Sequence, residues 1–300
     1  MDRSTPGTAG TARTVLVTGA SSGIGREVAL KLAARGDALV LVARRRAELD
    51  DLAAKCTQQG AGRVLVAPAD VSDADAWQEA FDAGVAAFGQ IDVVVHAAAV
   101  AAYGRFAEIP GEVFDQVQKV NVNGTANVAR TALRHFDDRR PRPDGHLVLF
   151  GSLVGKISTP YLSPYVTSKW AVHGLARTLQ AERQGDPVHV SLVEPGGVST
   201  TIYDKAASYL GVQGKPPPPV YGAERCASAV VSLIDHPRRE RAVGVFNPVI
   251  ALGFRMFPAV YDRIVAPLVS RLALSDEPVA DHRGNLFQAQ PEPLPAKDQR

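Results

Sequence analysis

A tyrosine and a lysine at a helical spacing, Tyr165 and Lys169, are the first residues in this sequence whose types could do chemistry together. A spacing of four on a helix puts both side chains on one face, one turn apart. Because an ammonium beside a phenol favours the phenolate, we expect Lys169 to lower the pKa of Tyr165 and allow proton exchange with a substrate. Ser152 follows the apolar run 146–150, which predicts a hydroxyl at the carboxyl end of a strand, where open α/β sheets bind ligands. Most Tyr-x-x-x-Lys pairs are ordinary surface residues of a helix, so the rest of the chain decides between the two interpretations.

A glycine-rich segment follows the first apolar run of the chain, 14–18. It reads Gly19-Ala-Ser-Ser-Gly23-Ile-Gly25 and precedes a helical pattern over 26–35. Glycines let the backbone turn tightly and approach a pyrophosphate, whose charge is then favoured by the N–H groups and dipole of the following helix. This order of strand, turn and helix favours a dinucleotide site over a glycine-rich turn without a ligand.

Three arginines, Arg44, Arg45 and Arg46, directly follow the second apolar run, 38–43. In dinucleotide folds an acid near this point binds the ribose 2′-hydroxyl, whereas an arginine accommodates a 2′-phosphate. No acidic residue lies between this run and Glu48, so the sequence predicts NADP(H) rather than NAD(H). The alternative is that the arginines only begin a solvated helix, which is disfavoured because cations are destabilising at a helix N-terminus.

Apolar runs alternate with helical patterns along the chain, and Ser72 or Asp73 would cap the helix after the third run. The alternation predicts an α/β fold, a Rossmann-type doubly wound parallel sheet of about seven strands with helices on both faces. The predicted strands are 14–18, 38–43, 63–68, 91–95, 145–150, 188–193 and 242–246, and the predicted helices are 26–35, 73–88, 111–136, 164–183 and 223–235.

Composition and charge restrict the class of protein. Hydrophobic residues make up 46% of the chain and charged residues 21%, enough for a substantial core. The net charge of +2, from 33 basic and 31 acidic residues, gives no support for nucleic acid as a partner. Cys56 and Cys226 lie outside any Cys-x-x-Cys pair, which argues against zinc and disulfides and favours a cytoplasmic location. Residues 1–12 lack the apolar core of a signal peptide and are interpreted as a flexible leader.

These motifs together resemble those of the short-chain dehydrogenase/reductase family over residues 14–246. Each motif is modest alone, but the set in this order and spacing is specific. The resemblance implies a catalytic domain over 13–248, a hydride exchange between a nicotinamide and a carbonyl or alcohol carbon, and a homodimer or homotetramer. The motifs are Thr18 to Gly25, Asp70-Val71, Asn121-Val122-Asn123-Gly124, Ser152, Tyr165 to Lys169, and Pro195-Gly196.

The resemblance implies a catalytic tetrad of Asn121, Ser152, Tyr165 and Lys169. Tyr165 would protonate the carbonyl oxygen, and Ser152 would orient that oxygen. Lys169 would hold the nicotinamide ribose and lower the Tyr165 pKa, while Asn121 would anchor a water in a proton relay by bending its helix. No metal is implied. The implied cofactor contacts are Gly19, Ser21, Ser22, Gly23, Ile24, Gly25, Arg44, Arg45, Ala98, Tyr165, Lys169, Pro195, Gly196 and Val198, together with Asp70 and Val71 at the adenine and Thr200 at the carboxamide.

One segment departs from the family pattern. After the fourth strand the family has Asn-Asn-Ala-Gly, whereas this chain has His96-Ala97-Ala98-Ala99. The second Asn of that pattern ties neighbouring strands together, which Ala97 cannot do, and Ala99 adds a methyl group near the ribose. His96 either faces the adenine or is a buried, hydrogen-bonded core residue, and we favour the second interpretation.

Substrate choice in the family lies in loops beyond the strand ends, here 100–108, 153–163 and 200–220. Their aromatic residues predict an apolar cavity mouth and a hydrophobic carbonyl substrate. The segment Pro216–Pro219 is either a hinge for a lid or a plain connector. The aromatic residues are Tyr103, Phe106, Tyr161, Tyr203 and Tyr209.

An apolar extension over 249–275 follows, with Pro258 and Pro267 expected to break or kink its helix. Three interpretations stay open, in order of preference: a helix packed over the substrate site, a subunit interface, and peripheral contact with a membrane surface through 249–274. The charges and prolines argue against a membrane-spanning helix. The charges form one polar stripe, at Arg255, Asp262, Arg263 and Arg271.

The whole sequence predicts an NADPH-dependent oxidoreductase that reduces a small hydrophobic carbonyl compound or oxidises the alcohol. The alternative is an NADP(H)-binding sensor or partner-binding protein without turnover. A sensor does not need a proton relay, so the complete tetrad speaks against it. Residues 276–300 have the composition of a tail, in which the apolar pair Leu286-Phe287 could dock back onto the domain.

Overall fold

The computed structural model describes residues 12–139 and 144–289, and a seven-stranded parallel sheet forms its centre. The strands are β1 Thr14–Thr18, β2 Ala38–Val42, β3 Val64–Val66, β4 Val93–His96, β5 Gly145–Phe150, β6 Val188–Pro195 and β7 Glu240–Val243. Their order in the sheet is β7-β6-β5-β4-β1-β2-β3. The chain direction across the sheet reverses between β1 and β4, so a crevice opens at the carboxyl ends of these two strands.

Helices cover both faces of the sheet, and side chains alternate between the two layers along each strand. Val15 and Val17 of β1 belong to one apolar layer together with Leu32, whereas Leu16 between them belongs to the other layer with Phe136. The helices are α1 Gly23–Ala33, α2 Arg46–Gln58, α3 Ala74–Phe88, α4 Gly111–Gln118, α5 Gly124–Asp138, α6 Ser163–Glu182, α7 Ala223–Asp235, α8 Asn247–Met256 and α9 Pro258–Leu272. The predicted fold class is confirmed, and each predicted strand and helix is present with small shifts at its ends, except that the helix predicted over 111–136 is divided in two.

The start of α3 shows how local sequence fixes an element boundary. Of the two predicted caps, Asp73 is the one that acts, because its carboxylate accepts hydrogen bonds from the N–H groups of Asp75 and Ala76, both at 3.1 Å.

The helix predicted over 111–136 is not continuous. A π-helical turn over Lys119–Asn123 separates α4 from α5, and Asn121 lies in it. A π turn inserts extra backbone into a helix, which changes the direction of the side chains around it. The apolar pattern on both sides is helical, so the sequence predicted the helices but not the interruption.

The C-terminal extension forms two helices. The helix that begins at Asn247 ends at Met256, and Pro258 starts α9, as expected for a residue that lacks a backbone N–H. At Pro267, of the expected break or kink, the break is wrong, because this residue lies inside α9. Beyond α9, Leu286 is completely buried, so the predicted docking of the tail is confirmed at this residue.

Two predictions concern the ends of the chain. The leader predicted over 1–12 lies outside the described residues except for Ala12, and the tail is described as far as residue 289. Within the described ranges, none of the helices combines the length and the apolar character needed to cross a membrane.

Candidate active site

A cavity of about 620 Å³ occupies the crevice at the carboxyl ends of the central strands. Ser152, Tyr165 and Lys169 line it together with the glycine-rich loop 19–25, whereas Asn121 is buried beneath the lining. The predicted cofactor contacts all line the same cavity: Gly19, Ser21, Ser22, Gly23, Ile24, Gly25, Arg44, Arg45, Asp70, Val71, Ala98, Tyr165, Lys169, Pro195, Gly196, Val198 and Thr200.

The phenol of Tyr165 is the best-placed proton donor in this cavity. Desolvation by the surrounding protein raises its pKa above the ordinary value, and a hydrogen bond with the Ser152 hydroxyl acts in the opposite direction. The sequence predicted that Lys169 lowers the pKa of Tyr165. This prediction is wrong, because desolvation raises that pKa. A phenol with a raised pKa is protonated at neutral pH and can donate its proton to a basic oxygen.

Lys169 is held next to the tyrosine by the end of β5. Its Nζ lies 5.4 Å from the centroid of the Tyr165 ring and donates a hydrogen bond of 2.9 Å to the carbonyl oxygen of Phe150. Burial lowers the pKa of Lys169 to about 8, because the charged form loses its hydration. The ammonium is therefore fixed in position but remains mostly charged at neutral pH.

Asn121 connects three elements under the site. Its side-chain oxygen accepts from the N–H of Val100 at 2.9 Å, and its amide nitrogen donates to the carbonyl of Val100 at 2.9 Å. The same nitrogen donates to Ser168 Oγ at 2.9 Å, and Ser168 donates to the carbonyl of Tyr165 at 2.7 Å. The π turn thus fixes both the loop after β4 and the helix that carries Tyr165.

His96 links two neighbouring strands, β4 and β1. In the family pattern the second Asn ties neighbouring strands together, which Ala97 cannot do. Its Nδ1 lies 2.8 Å from Thr18 Oγ1 on β1, and its Nε2 lies 3.0 Å from Thr125 Oγ1 on α5. Thr125 donates its hydroxyl hydrogen bond to the carbonyl of Asn121 at 2.5 Å, so its oxygen accepts a hydrogen bond from His96 Nε2–H. The neutral ring therefore accepts from Thr18 and donates to Thr125. The interpretation of His96 as a buried, hydrogen-bonded core residue is confirmed.

The two most deeply buried histidines should make the fold sensitive to acid. Burial lowers the pKa of His96 and of His146 to about 3, with the charge of Lys169 contributing at His96. Unfolded histidine has a pKa of about 6.5, so the unfolded chain binds these protons first and the free energy of unfolding falls as pH drops from about 6.5 toward 3. We expect a loss of about 2 kcal/mol for each histidine between pH 7.5 and pH 5, measured by urea unfolding. His96→Asn should reduce this loss by about 2 kcal/mol; an unchanged loss would mean that His96 is protonated or exposed in the folded chain.

The glycine-rich loop has the backbone that a pyrophosphate requires. Gly19 has φ +66°, and a Cβ there would lie 2.7 Å from the backbone nitrogen of Ala98; a Cβ on Gly25 would lie 2.4 Å from the carbonyl oxygen of Gly19. No side chain caps the start of α1 at Ser22, and the first turn of α1 contains no acid. The unpaired N–H groups at this helix N-terminus are therefore left for an anion, so these residues fit a dinucleotide pyrophosphate.

Arg44 faces the cavity with its positive charge only partly compensated. Its guanidinium donates to the carbonyl oxygen of Asn285 at 2.8 Å and to that of Leu286 at 3.4 Å, and Asp70 lies 4.0 Å away. Arg45 instead forms an ion pair of 2.6 Å with Glu48. Carbonyl oxygens orient Arg44 without neutralising it, so a phosphate in the cavity would meet a positioned cation.

The substrate side of the cavity differs in part from the prediction. Tyr103 and Tyr203 line it, whereas Phe106, Tyr161 and Tyr209 do not. The side chain of Phe106 is 70% exposed. Residues of all three predicted segments, 100–108, 153–163 and 200–220, line the cavity, although Tyr103 and Tyr209 lie in short paired strands rather than loops. The direction of each aromatic ring depends on packing.

Sequence reasoning missed one contribution to the site. Asn247, at the start of α8, donates to the carbonyl of Glu194 at 3.1 Å, and a Cβ on Gly196 would lie 2.8 Å from its Oδ1. Its position before Pro248 was the available signal, since Asn-Pro often begins a turn or helix. One face of α8 and α9 also lines the cavity, as the preferred interpretation of the extension predicted, through Ile250, Gly253, Tyr261, Ile264, Val265, Leu268 and Val269.

Comparison with known proteins identifies the family and agrees with the fold. A family model described as "short chain dehydrogenase" matches residues 13–210. Among curated proteins, the chain is 31% identical over 193 residues to a tetrahydroxynaphthalene reductase of Pyricularia oryzae, a match that covers 64% of this chain and 66% of that enzyme.

Solved structures with the same fold hold either nicotinamide dinucleotide. An alcohol dehydrogenase from Thermococcus sibiricus, complexed with 5-hydroxy-NADP, has a TM-score of 0.68 and 29% identity over 77% of this chain and 96% of its own. A short chain dehydrogenase/reductase from Burkholderia phymatum, in complex with NAD, has a TM-score of 0.71 and 25% identity over 85% of this chain and 96% of its own.

Proposed function

Because the chain belongs to the short-chain dehydrogenase family, we propose that this oxidoreductase uses NADP(H) to reduce a hydrophobic carbonyl compound, or to oxidise the corresponding alcohol. One observation carries the proposal. Ser152, Tyr165 and Lys169 line a single cavity with the glycine-rich loop and with Arg44, so proton donor and phosphate-binding groups share one space.

Tyr165 has the chemistry of the proton donor. When bound, NADPH supplies the hydride that the carbonyl carbon accepts. Tyr165 gives its phenolic proton to the carbonyl oxygen, and the Ser152 hydroxyl hydrogen-bonds to that oxygen. The raised pKa of Tyr165 supports reduction near neutral pH, since the donor is then fully protonated.

Lys169 and Asn121 support this step from behind the tyrosine. Lys169 would hold the ribose hydroxyls and keep a positive charge next to the phenolate that proton donation leaves behind. Asn121 would position the helix of Tyr165 through Ser168 and anchor a water that returns a proton from solvent. Its buried contacts support the positioning role directly.

Arg44 supports NADP(H) over NAD(H). It faces the cavity at the end of β2, where a 2′-phosphate would lie, and Arg45 is already paired with Glu48. Asp70 is the nearest acid to Arg44, at 4.0 Å, and only partly compensates its charge.

An apolar substrate is supported by the walls beyond the tetrad. Tyr103, Tyr203 and the inner faces of α8 and α9 contribute aromatic and aliphatic side chains to the cavity. The similar tetrahydroxynaphthalene reductase, by its name, acts on a polyhydroxylated bicyclic aromatic compound. We therefore propose bicyclic aromatic ketones and comparable apolar carbonyl compounds as the substrate class.

The proposal is tested by titrating the full-length protein with NADPH and with NADH and following nucleotide fluorescence. A panel of apolar ketones and aldehydes is then assayed with the nucleotide that binds more tightly, and short 2-oxo acids serve as polar controls. We expect a Kd for NADPH at least about 10-fold lower than that for NADH, with turnover on apolar ketones.

The remaining outcomes separate the alternatives. Tight NADPH binding with no turnover on the whole panel would favour the sensor without catalysis. Absence of binding by either nucleotide would overturn the proposal and point to the segment His96 to Ala99 as the cause.

A further inference from the structure

The outer face of α8 and α9 exposes apolar side chains to an unusual degree. Ten of the fourteen large apolar side chains that are exposed in the described part of the chain lie between Val245 and Leu272. The α8–α9 surface, as we call it, consists of Val249, Leu252, Met256, Val260, Ile264 and Leu268, each more than half exposed. The spacings of three and four place these residues on one face of each helix, and together they form the apolar stripe.

The side of α8 and α9 that faces the domain makes the contacts that hold these helices in place. Tyr261 donates its hydroxyl to the carbonyl of Ser158 at 2.8 Å, and the ring of Phe254 contacts Trp170 and Tyr261. No residue of α9 is buried. The preferred sequence interpretation, a helix packed over the substrate site, therefore holds for the inner face only, and the outer stripe faces solvent. Apolar patches of this kind mark interaction surfaces.

Arginines follow the stripe at a constant offset. Arg255, Arg263 and Arg271 each come three residues after a stripe residue and are exposed, so they lie beside it on the helix surface. The segment 247–272, which forms α8 and α9, contains these three arginines and only Asp262 as an acid, a net charge of +2. An apolar stripe flanked by arginines is complementary to an apolar layer with anionic groups at its surface.

The stripe is also continuous with the cavity. Ile264 is 56% exposed and Leu268 is 53% exposed, and both line the cavity as well. Behind them, Val265 and Val269 belong to the lining only. An apolar molecule could therefore pass from the outer surface into the cavity over apolar side chains.

We propose that the α8–α9 surface docks onto an anionic lipid bilayer, with the stripe inserted at the boundary of headgroups and acyl chains. The cavity mouth then opens toward the acyl chains. On the function proposed above, this makes the substrate a carbonyl compound that is dissolved in the membrane.

A second copy of the chain is the less suitable partner for this surface. In a two-fold symmetric dimer the same patch lies on both sides of the interface. The arginines along the stripe of one subunit would then face those of the other, and in α8 and α9 only Asp262 is available to compensate three cations. Anionic lipid headgroups carry the charge opposite to that of these arginines, so they attract them.

Vesicle flotation of the full-length protein, without nucleotide, tests the docking. We expect the protein to float with vesicles that contain phosphatidylglycerol, to float much less with pure phosphatidylcholine, and to dissociate as salt is added. Leu252→Asp combined with Val260→Asp should lower the partition coefficient at least about 10-fold, because two inserted apolar side chains are lost. Phe106→Asp is the matched control. Phe106 is 70% exposed and lies outside the α8–α9 surface, so this substitution should leave flotation unchanged.

Charge is tested separately. Arg255→Glu and Arg271→Glu should each lower binding to phosphatidylglycerol vesicles roughly 5-fold, whereas Arg46→Glu, an exposed position on α2, should not. Nucleotide binding is measured for every variant to verify that it is folded. This binding uses a different site from the α8–α9 surface.

Two results would overturn the docking proposal. One is that folded protein fails to float with any vesicle. The other is a dimer in light scattering that Leu252→Asp dissociates without any effect on flotation, which would assign the surface to a second copy. Flotation without catalysis would leave the docking in place and contradict only the proposed function.

Discussion

Tyr165→Phe should lower kcat for carbonyl reduction by a factor of about 10²–10⁴ and leave the Kd for NADPH within about 3-fold of the original. The substitution removes the only proton that this side chain can donate and keeps its ring. Because the raised pKa of Tyr165 keeps the phenol protonated at neutral pH, the loss should be full in the reductive direction between pH 6 and pH 8. Steady-state kinetics and a fluorescence titration of the same preparation measure the two quantities.

Tyr203→Phe is the matched control for this substitution. Tyr203 lines the same cavity, and burial raises its pKa to about 12, but its hydroxyl hydrogen-bonds to the backbone of Val198. We expect kcat to change less than about 10-fold. Substantial turnover by Tyr165→Phe, or equal losses in both variants, would assign proton donation to another group.

Arg44→Asp should raise the Kd for NADPH about 100-fold and change the Kd for NADH less than about 5-fold. The guanidinium would form charge-assisted hydrogen bonds with a 2′-phosphate, and the introduced carboxylate would repel it. Arg44 also binds the backbone of Asn285 and Leu286, so any disturbance of the C-terminal segment should affect both nucleotides equally. The ratio of the two Kd values therefore isolates the phosphate contact.

Two further variants make the test specific. Arg44→Gln keeps hydrogen-bond donors for the two carbonyl oxygens but lacks the charge, so it should change the ratio in the same direction but less, because no carboxylate repels the phosphate. Arg46→Asp, at an exposed position two residues further along, should leave the ratio unchanged. If Arg44→Asp leaves the ratio unchanged, the phosphate contact lies elsewhere, with Arg45 and Arg26 the next candidates.

The interruption of the helix at Asn121 shows where local patterns stop being informative. The apolar spacing on each side of residues 119–123 is helical, and the sequence gives the helices correctly. The π turn is stabilised by contacts of Asn121 with Val100 and Ser168, which are 21 and 47 residues away in the chain. Periodicity contains no information about partners at that distance.

The sequence by itself determined the α/β class, the order of strands and helices, the glycine-rich turn and the spacing of Ser152, Tyr165 and Lys169. Each of these follows from backbone preferences and side-chain periodicity within short segments. Tertiary structure alone decided the direction of the Tyr165 pKa shift, since desolvation depends on all the groups packed around the phenol. It also decided that His96 bonds Thr18, 78 residues earlier, and that α9 turns its apolar stripe outward. An amphipathic pattern shows that a helix has an apolar face, but only the packed fold shows what that face contacts.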